Sequence, residues 1–465
     1  MSRVAGFRTI GLVAAAALLH AATGAAQTAP APPPPSSPLA IHVGDADLLI
    51  GGFMDGTMIM RSTATGNGMS TSFGTIPFTT TPGGAPNPAG NLSETRLTAQ
   101  NSRLSLQATS KAGGGNVKGY VEVDFLGNTA TNLNVTTNAN TLRMRLFWAQ
   151  YTRGTFEFLA GQSWSLLTPN RNGLSPVPGD VFFSQNVDTN YQSGLTWARQ
   201  MGFRFIAHPS STFSAGVAVE NPQQYVGSAV VLPAAFPASE VDTGAAALGA
   251  ASAVPNRYPD VIGKIAFDPK TGKTHQHVDA AVLVRGYKTF NPSTSAAHTA
   301  TGTGGSVNVV LEPVANVRVV AMNFVSSGGG RYVANENLPD FVVNADHSLS
   351  LVKTWSTIEG AEITHGKSLV FGYYSLAHAD RLVGLDANGT TPIGFGVAGS
   401  QAANRKIEEA TLGLAQTFFR DPKVGGMQLL LQYSHVKRTP FSVPAGTPLT
   451  AQAHMLYVSV RYLLP

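Results

Sequence analysis

Few stretches of this chain carry residues that could make or break bonds, but charged side chains recur at positions that alternate with apolar ones. In Leu142–Arg153, Arg143 and Arg145 alternate with Leu142, Met144 and Leu146. In His277–Tyr287, Asp279 and Arg285 alternate with Val278, Ala280, Val282 and Val284. In Val117–Phe125, Lys118, Tyr120, Glu122 and Asp124 alternate with Val117, Gly119, Val121, Val123 and Phe125. Residues two apart on a strand share a face, so each segment would present charge on one side and hydrocarbon on the other. A guanidinium binds a carboxylate through two parallel hydrogen bonds, which lysine cannot do. Such a row can draw anions out of water. It can equally pair with Glu122, Asp124, Glu157 and Asp279 on neighbouring strands and do no more than solvate a polar interior.

Other chemistry is thinly represented. The sequence holds no G-x-S-x-G, no H-E-x-x-H and no G-x-x-x-x-G-K-[ST]. Gly113-Gly114-Gly115 and Gly328-Gly329-Gly330 read as turns that need positive φ, and no helix follows either run to cradle a phosphate. His275-Gln276-His277 puts two imidazoles on one strand face, a geometry that can bind a metal, but no third ligand is evident. We therefore expect no metal, no cofactor and no catalytic residue. Ser434 and His435 are chain neighbours that point to opposite faces, which counts against a lipid hydrolase working on an outer wall.

The elements that must position the arginines follow from a rhythm of connections. Seven are short: Lys111–Asn116, Gly154, His208–Ser211, Pro269–Thr274, Pro313–Asn316, His365–Lys367 and Asp421–Gly426. Eight long, polar stretches alternate with them: Thr63–Ala99, Gly127–Thr141, Thr168–Ser193, Pro222–Pro259, Asn291–Gly304, Ser327–His347, Asp380–Asn404 and Arg438–Gln452. The alternation predicts an all-β fold, a transmembrane antiparallel up-and-down β-barrel of about 16 strands with short periplasmic turns and long extracellular loops. Lipid offers the backbone no hydrogen-bond partners, so the sheet must close. An arginine facing lipid at the midplane would cost ~2–4 kcal/mol, which directs Arg143, Arg145 and Arg285 into the lumen. Aromatic residues near strand ends, among them Phe147-Trp148, Phe156, Phe158, Trp164, Trp197, Trp355, Tyr373-Tyr374 and Phe418-Phe419, read as interfacial girdles.

The start of the chain is expected to be removed. Arg3 and Arg8, the apolar run Ile10–Leu19 and the small residues Gly24-Ala25-Ala26 form a signal peptide over residues 1–26, cleaved near Ala26. Residues 27–46 read as a proline-rich periplasmic linker and 47–465 as the barrel; the alanine-rich Thr243–Val254 could form a short helix within a loop. Hydrophobic residues make up 43% and charged ones only 12%, as suits a wall with an apolar outside and a polar inside. The chain lacks cysteine, which suits passage through an oxidising periplasm. Its net charge of +5 is scattered rather than clustered, so no nucleic acid is expected.

Several short stretches resemble one group, the DcaP-like trimeric outer-membrane porins. They are Gly51-Gly52-Phe53-Met54-Asp55-Gly56, Asn101-Ser102-Arg103-Leu104, Leu142-Arg143-Met144-Arg145, Gly161-Gln162-Ser163-Trp164-Ser165, Gly330-Arg331-Tyr332 and the closing Arg461-Tyr462. The resemblance implies a sixteen-stranded barrel in the outer membrane of a Gram-negative bacterium, a homotrimer seated in outer-membrane lipid. It implies passive diffusion of small anionic solutes such as dicarboxylates, selected by arginines at a constriction. Arg103, Arg143, Arg145 and Arg331 match arginines of the motifs; Arg204 and Arg285 join them by alternation or a looser match. Lys118 joins the pore-lining set. The loop Thr168–Ser193 takes the place of the loop that folds inward in trimeric porins and brings Arg171 and Asp180. Leu464 stands where porin barrels usually carry a final aromatic residue, so assembly would use a variant signal. A surface adhesin or receptor is the remaining alternative, but its loops should carry dense aromatic anchors, and these carry mostly Thr, Asn, Gly and Ala.

Overall fold

Alternation of polar and apolar residues over the described chain yields strands that close on themselves. The computed structural model describes residues 37–65, 71–127, 141–178, 181–184, 191–244, 254–272, 274–334 and 336–465. β1 (Ala46–Arg61) pairs with β2, which runs in two pieces, Glu94–Thr98 and Arg103–Ala112. There follow β3 (Gly115–Asp124), β4 (Arg143–Arg153), β5 (Phe156–Trp164), β6 (Arg199–Ala207), β7 (Phe213–Glu220) and β8 (Asp260–Phe267). The second half comprises β9 (Thr274–Asn291), β10 (Ala296–Val314), β11 (Val317–Ser327), β12 (Lys353–His365), β13 (Ser368–Ala379), β14 (Asn404–Asp421), β15 (Gly425–Pro440) and β16 (Ala451–Leu463). Each strand is antiparallel to the next. β16 returns to β1, with Leu463 opposite Phe53 and Met455 opposite Arg61. The result is the closed sixteen-stranded barrel expected from the rhythm of the loops.

The short turns sit where the sequence places them. Ala112 pairs with Gly115, leaving Gly113 (φ +56°) and Gly114 (φ +75°) as a two-residue hairpin turn that requires both positive φ values. At the same end of the barrel, Ala40–Val43 pairs with Ala46–Leu49 of β1, where β16 no longer reaches. Pairing thus begins before Asp47, inside the stretch read as linker. Residues 1–36, and most of the alanine-rich loop segment (residues 245–253), lie outside the described residues.

The outward face is hydrocarbon. Leu104, Leu106, Met144, Phe203, Val217, Ile265, Val282, Leu412 and Val460 are all exposed. That much uncovered apolar surface is unfavourable in water and suits acyl chains. Among the described residues no helix is long and apolar enough to cross a membrane.

Three further details depart from the sequence reading. Asn291–Gly304, read as a long polar connection, is mostly strand: Asn291 of β9 pairs with Ala296 of β10, leaving residues 292–295 as the turn. Between Glu122 and Val123 the register slips, so that Glu122 faces Leu146 and Val123 faces Met144, with Arg145 as the extra residue of a bulge. Arg145 and Leu146 therefore both turn inward. Leu146 is fully buried while Phe147 is 57% exposed, so Leu146 does not share the outer face of Leu142 and Met144. The aromatic residues also divide. Phe147, Phe156, Phe158, Trp355, Tyr374, Phe418 and Phe419 face outward, but Trp148, Trp164 and Tyr373 are buried inside, and Trp164 packs on Trp197 with ring centroids 3.7 Å apart. Girdle and interior are indistinguishable by residue type alone.

Long connections do not simply cover the surface. In the β1–β2 loop, Phe73, Ile76 and Phe78 are buried against Tyr191, Val436, Met455 and Tyr457. Arg438 of β15 clamps this loop: Nε donates to the Ile76 carbonyl at 2.5 Å, and the guanidinium lies 4.5 Å from the Phe78 ring centre. Among the described residues of the loop, 82–86 form the longest continuous exposed run, with a shorter one at 91–93. A non-specific protease added to intact cells is expected to cut first within 82–86 and to spare the buried 73–78. Cleavage confined to the short turns, found by mass spectrometry of the fragments, would reverse the topology.

Candidate functional site

The lumen is crossed by two loops whose polar ends are anchored on the wall. In the β5–β6 connection, Lys264 Nζ of β8 donates to the Thr168 carbonyl (2.8 Å) and to Asn170 Oδ1 (3.2 Å). Asn170 N donates to Asp279 Oδ2 of β9 (3.2 Å), and Phe183 N to the Tyr373 hydroxyl of β13 (3.3 Å). Ser193 N reaches Glu409 Oε2 of β14 at 2.8 Å. The loop read as Thr168–Ser193 thus runs across the interior from β5 to β14. The β11–β12 connection enters beside it. The Tyr332 hydroxyl donates to Asp260 Oδ2 of β8 (2.9 Å), and a β-bridge joins Thr196 to Val333.

The inward arginines meet carboxylates. Arg143 holds Asp124 with two parallel bonds, Nε to Oδ1 at 2.9 Å and Nη2 to Oδ2 at 2.6 Å. Arg145 donates to Glu122 Oε1 (2.6 Å) and to Asp124 Oδ2 (2.7 Å). The two differ in access: the Arg143 side chain is 33% exposed and that of Arg145 not at all. Arg285 is buried between Asp260 (3.0 Å) and Asp340 (2.7 Å), and Arg331 also reaches Asp260 (2.8 Å). Arg171 pairs with Glu362 through Nη1 (2.9 Å) and Nη2 (2.5 Å). Arg204 is buried and donates to the Trp164 carbonyl. Arg103 stands opposite Asp124 in the sheet, with its guanidinium 5.5 Å from the Phe53 ring centre. Asp180 lies outside the described residues.

Open space remains on either side of the crossing loop. One cavity of about 460 Å³ lies between the β2–β5 wall and loop residues 172–177, lined by Lys118, Tyr120, Trp148, Gln150, Gly173 and Val177. Another, of about 260 Å³, lies by the β12–β13 turn, between Phe183 of the loop and Ser368, Thr417, Gln428 and Arg461. Arg143 and Lys118 are partly accessible, whereas Arg145, Arg204 and Arg285 are enclosed. The sequence places these cations on one face; burial separates them into two kinds.

Several site residues carry no periodic signal. Asp340 and Glu336 come from a loop, and nothing in the order of the chain links them to Arg285 or Ser193. Asp260 and Lys264 of β8 were detectable, because they alternate with outward Val261, Gly263 and Ile265. His275 and His277 turn out to serve carboxylates: both ring nitrogens of His277 are engaged, Nδ1 with Asp268 (2.7 Å) and Nε2 with Asp279 (3.1 Å). Lys264 Nζ lies 3.1 Å from the same Asp279. Among the described residues no group of three or more His, Cys, Asp or Glu is placed to hold a metal. Ser434 faces inward and shares a hydrogen bond with Thr411 (2.8 Å), while His435 stacks outside on His454.

No family model and no curated protein matches this chain. Solved structures do. The outer membrane channel DcaP of Acinetobacter baumannii matches with a TM-score of 0.61 and 17% identity, over 90% of this chain and 97% of that one. Pseudomonas putida OprB matches at 0.50 and 9% identity, over 89% and 94%. An anion-selective porin from Comamonas acidovorans matches at 0.47 and 12%, over 90% and 99%. The chain has the barrel fold of the DcaP channel, which is the fold its motifs implied.

Proposed function

We propose that this protein is a porin of the Gram-negative outer membrane, allowing passive diffusion of small hydrophilic solutes and favouring anions such as dicarboxylates. The observation that carries the reading is a closed barrel, apolar outside, whose interior is lined by charged side chains and narrowed by an inward loop. A polar lumen bounded by a narrowing loop sorts solutes by size and charge without a dedicated catalytic group. The likeness to the DcaP channel supports the same reading, as a matter of fold. Assembly as a homotrimer in outer-membrane lipid belongs to it.

Charge balance along the inner face of β2–β4 supports anion preference. Between residues 103 and 153 the inward cations Arg103, Lys118, Arg143 and Arg145 outnumber the inward carboxylates Glu122 and Asp124. Ion pairing lowers the field of each arginine but does not cancel this excess. Arg143, at the accessible end, would offer part of its guanidinium to a passing carboxylate. Arg145, Arg171, Arg204, Arg285 and Arg331 would act by fixing the wall and the loops. Liposomes carrying the purified protein should swell in isotonic sugar and faster in isotonic succinate. Liposomes that swell in neither would overturn the proposal.

A further inference from the structure

Ser193 is held between two buried carboxylates that belong to different parts of the molecule. Its backbone N–H donates to Glu409 Oε2 on β14 (2.8 Å), and its hydroxyl to Glu336 Oε1 in the β11–β12 loop (2.6 Å). Glu336 Oε1 also accepts from Gly194 N (3.3 Å) and from the Tyr191 hydroxyl (3.1 Å). The Tyr191 hydroxyl reaches the Ala334 carbonyl as well. Gly194 has φ +79°, and a Cβ there would lie 3.1 Å from the Leu376 carbonyl and 3.2 Å from Ser356 Cβ, so the loop backbone lies flush on the wall. Ser356 of β12 donates to the Gly194 carbonyl at 2.7 Å. From the β1–β2 loop, Gly74 backs onto the Glu336 carbonyl so closely that a Cβ would come within 2.7 Å. Three loops and the wall thus meet around Ser193, Gly194 and Glu336.

We propose that Glu336 and Glu409, on either side of Ser193, form a pH-operated latch that seats the β5–β6 loop against the lumen wall and releases it as pH rises. The latch rests on the porin reading only in that the seated loop narrows a conducting lumen. Burial pushes the Glu336 carboxyl up to about 7; the hydrogen bonds from Ser193 and Tyr191 oppose the shift, and the Glu409 charge adds to it. The groups around the pair are known. Tyr191 faces Glu336 from its own loop, Ser356 and Ser375 are neutral neighbours on β12 and β13, and Gln192 donates to Ser375. Beyond Glu409, Tyr457 of β16 and Arg61 of β1 both bond the Thr71 hydroxyl, and Arg61 is itself paired with Glu94 (2.7 Å). Within the β11–β12 loop, Arg331 and Asp340 are engaged with Asp260 and Arg285.

The sign follows from linkage. A released, hydrated Glu336 would titrate near its ordinary 4.5, while the seated one holds its proton to about 7. The seated state therefore binds more protons between those values, and its stability is complete below 4.5 and lost as pH rises through about 7. The release equilibrium should rise by about tenfold per pH unit across that window and then level off. Two ionised carboxylates bracketing one residue, both out of water, repel each other.

The test compares wild type, Glu336→Gln and Glu409→Gln at about pH 5 and about pH 8. Each variant is first checked for a folded barrel by the mobility of unboiled protein. Pore radius is read in bilayers by exclusion of neutral polyethylene glycols, which report size rather than charge. Iodide quenching of tryptophan, with Trp197 beside the Thr196–Val333 bridge, reports loop release in detergent without any need for conduction. We expect the wild type to admit larger polymers and to quench more at the higher pH, Glu336→Gln to stay in the low-pH state at both, and Glu409→Gln to show a smaller change. A wild type unaltered by pH in quenching, or a Glu336→Gln variant or a Glu409→Gln variant that follows it in full, overturns the latch. Quenching that shifts in a protein that never conducts would uphold the latch and reject the porin reading.

Discussion

Replacing Arg143 and Arg145 together with serine is expected to turn an anion-preferring lumen into a cation-preferring one. The two guanidiniums share Asp124, and Arg145 also holds Glu122. Removing both leaves those carboxylates without their partners on β4, facing the water path. A unit charge about 7 Å away in water is worth about 0.6 kcal/mol, or roughly threefold in local ion concentration. Two such charges alter the local concentration of each ion by roughly tenfold, anions downward and cations upward, read as a change of sign in the reversal potential under a salt gradient. Asp124→Asn should move the potential the other way, because it frees positive charge at Arg143. A double-serine channel with the wild-type reversal potential would mean that the two arginines only brace the wall.

The second large effect concerns folding rather than selectivity. Arg285 is fully enclosed with Asp260 and Asp340, and it also donates to the Gly328 carbonyl at 3.0 Å. Arg285→Met would strand two carboxylates in a dry site with only Arg331 left between them. Breaking a buried ion pair by removing one partner costs about 3–5 kcal/mol. The variant should therefore lose its resistance to heating in detergent at a clearly lower temperature than wild type. Arg285→Met combined with Asp260→Asn and Asp340→Asn should recover most of the loss, since no charge is then left uncompensated. Equal heat resistance in wild type and the single variant would show that the triad contributes little.

The barrel was legible because a strand's period of two is a local property. Val117–Phe125 and His277–Tyr287 declare their faces within a few residues, and the positive-φ turn at Gly113-Gly114 is written in the residues that form it. Leu146 was not legible, since the bulge that turns it inward is set by Glu122 and Val123 across the sheet. The aromatic residues misled for a related reason: Phe147 and Trp148 are equally good girdle residues, and only the strand face separates them. The candidate site was legible where both partners lie on strands and obscure where one comes from a loop. Arg143 and Arg145 fall on the alternation, as do their partners Glu122 and Asp124. Asp340 and Glu336 come to the wall from a loop with no periodicity, so their meeting with Arg285 and Ser193 could not be read along the chain. Physically, the strands place charge by rule, whereas loop closure places it by contacts made only once the barrel exists.

The lumen's ability to pass ions is the point on which the whole reading turns, and single-channel recording of the purified, folded protein in a planar bilayer across a salt gradient tests it most directly. The account predicts discrete conductance steps and a reversal potential of the sign set by anions. A folded protein that produces no steps, or steps that reverse at the potential of the cation, would contradict it.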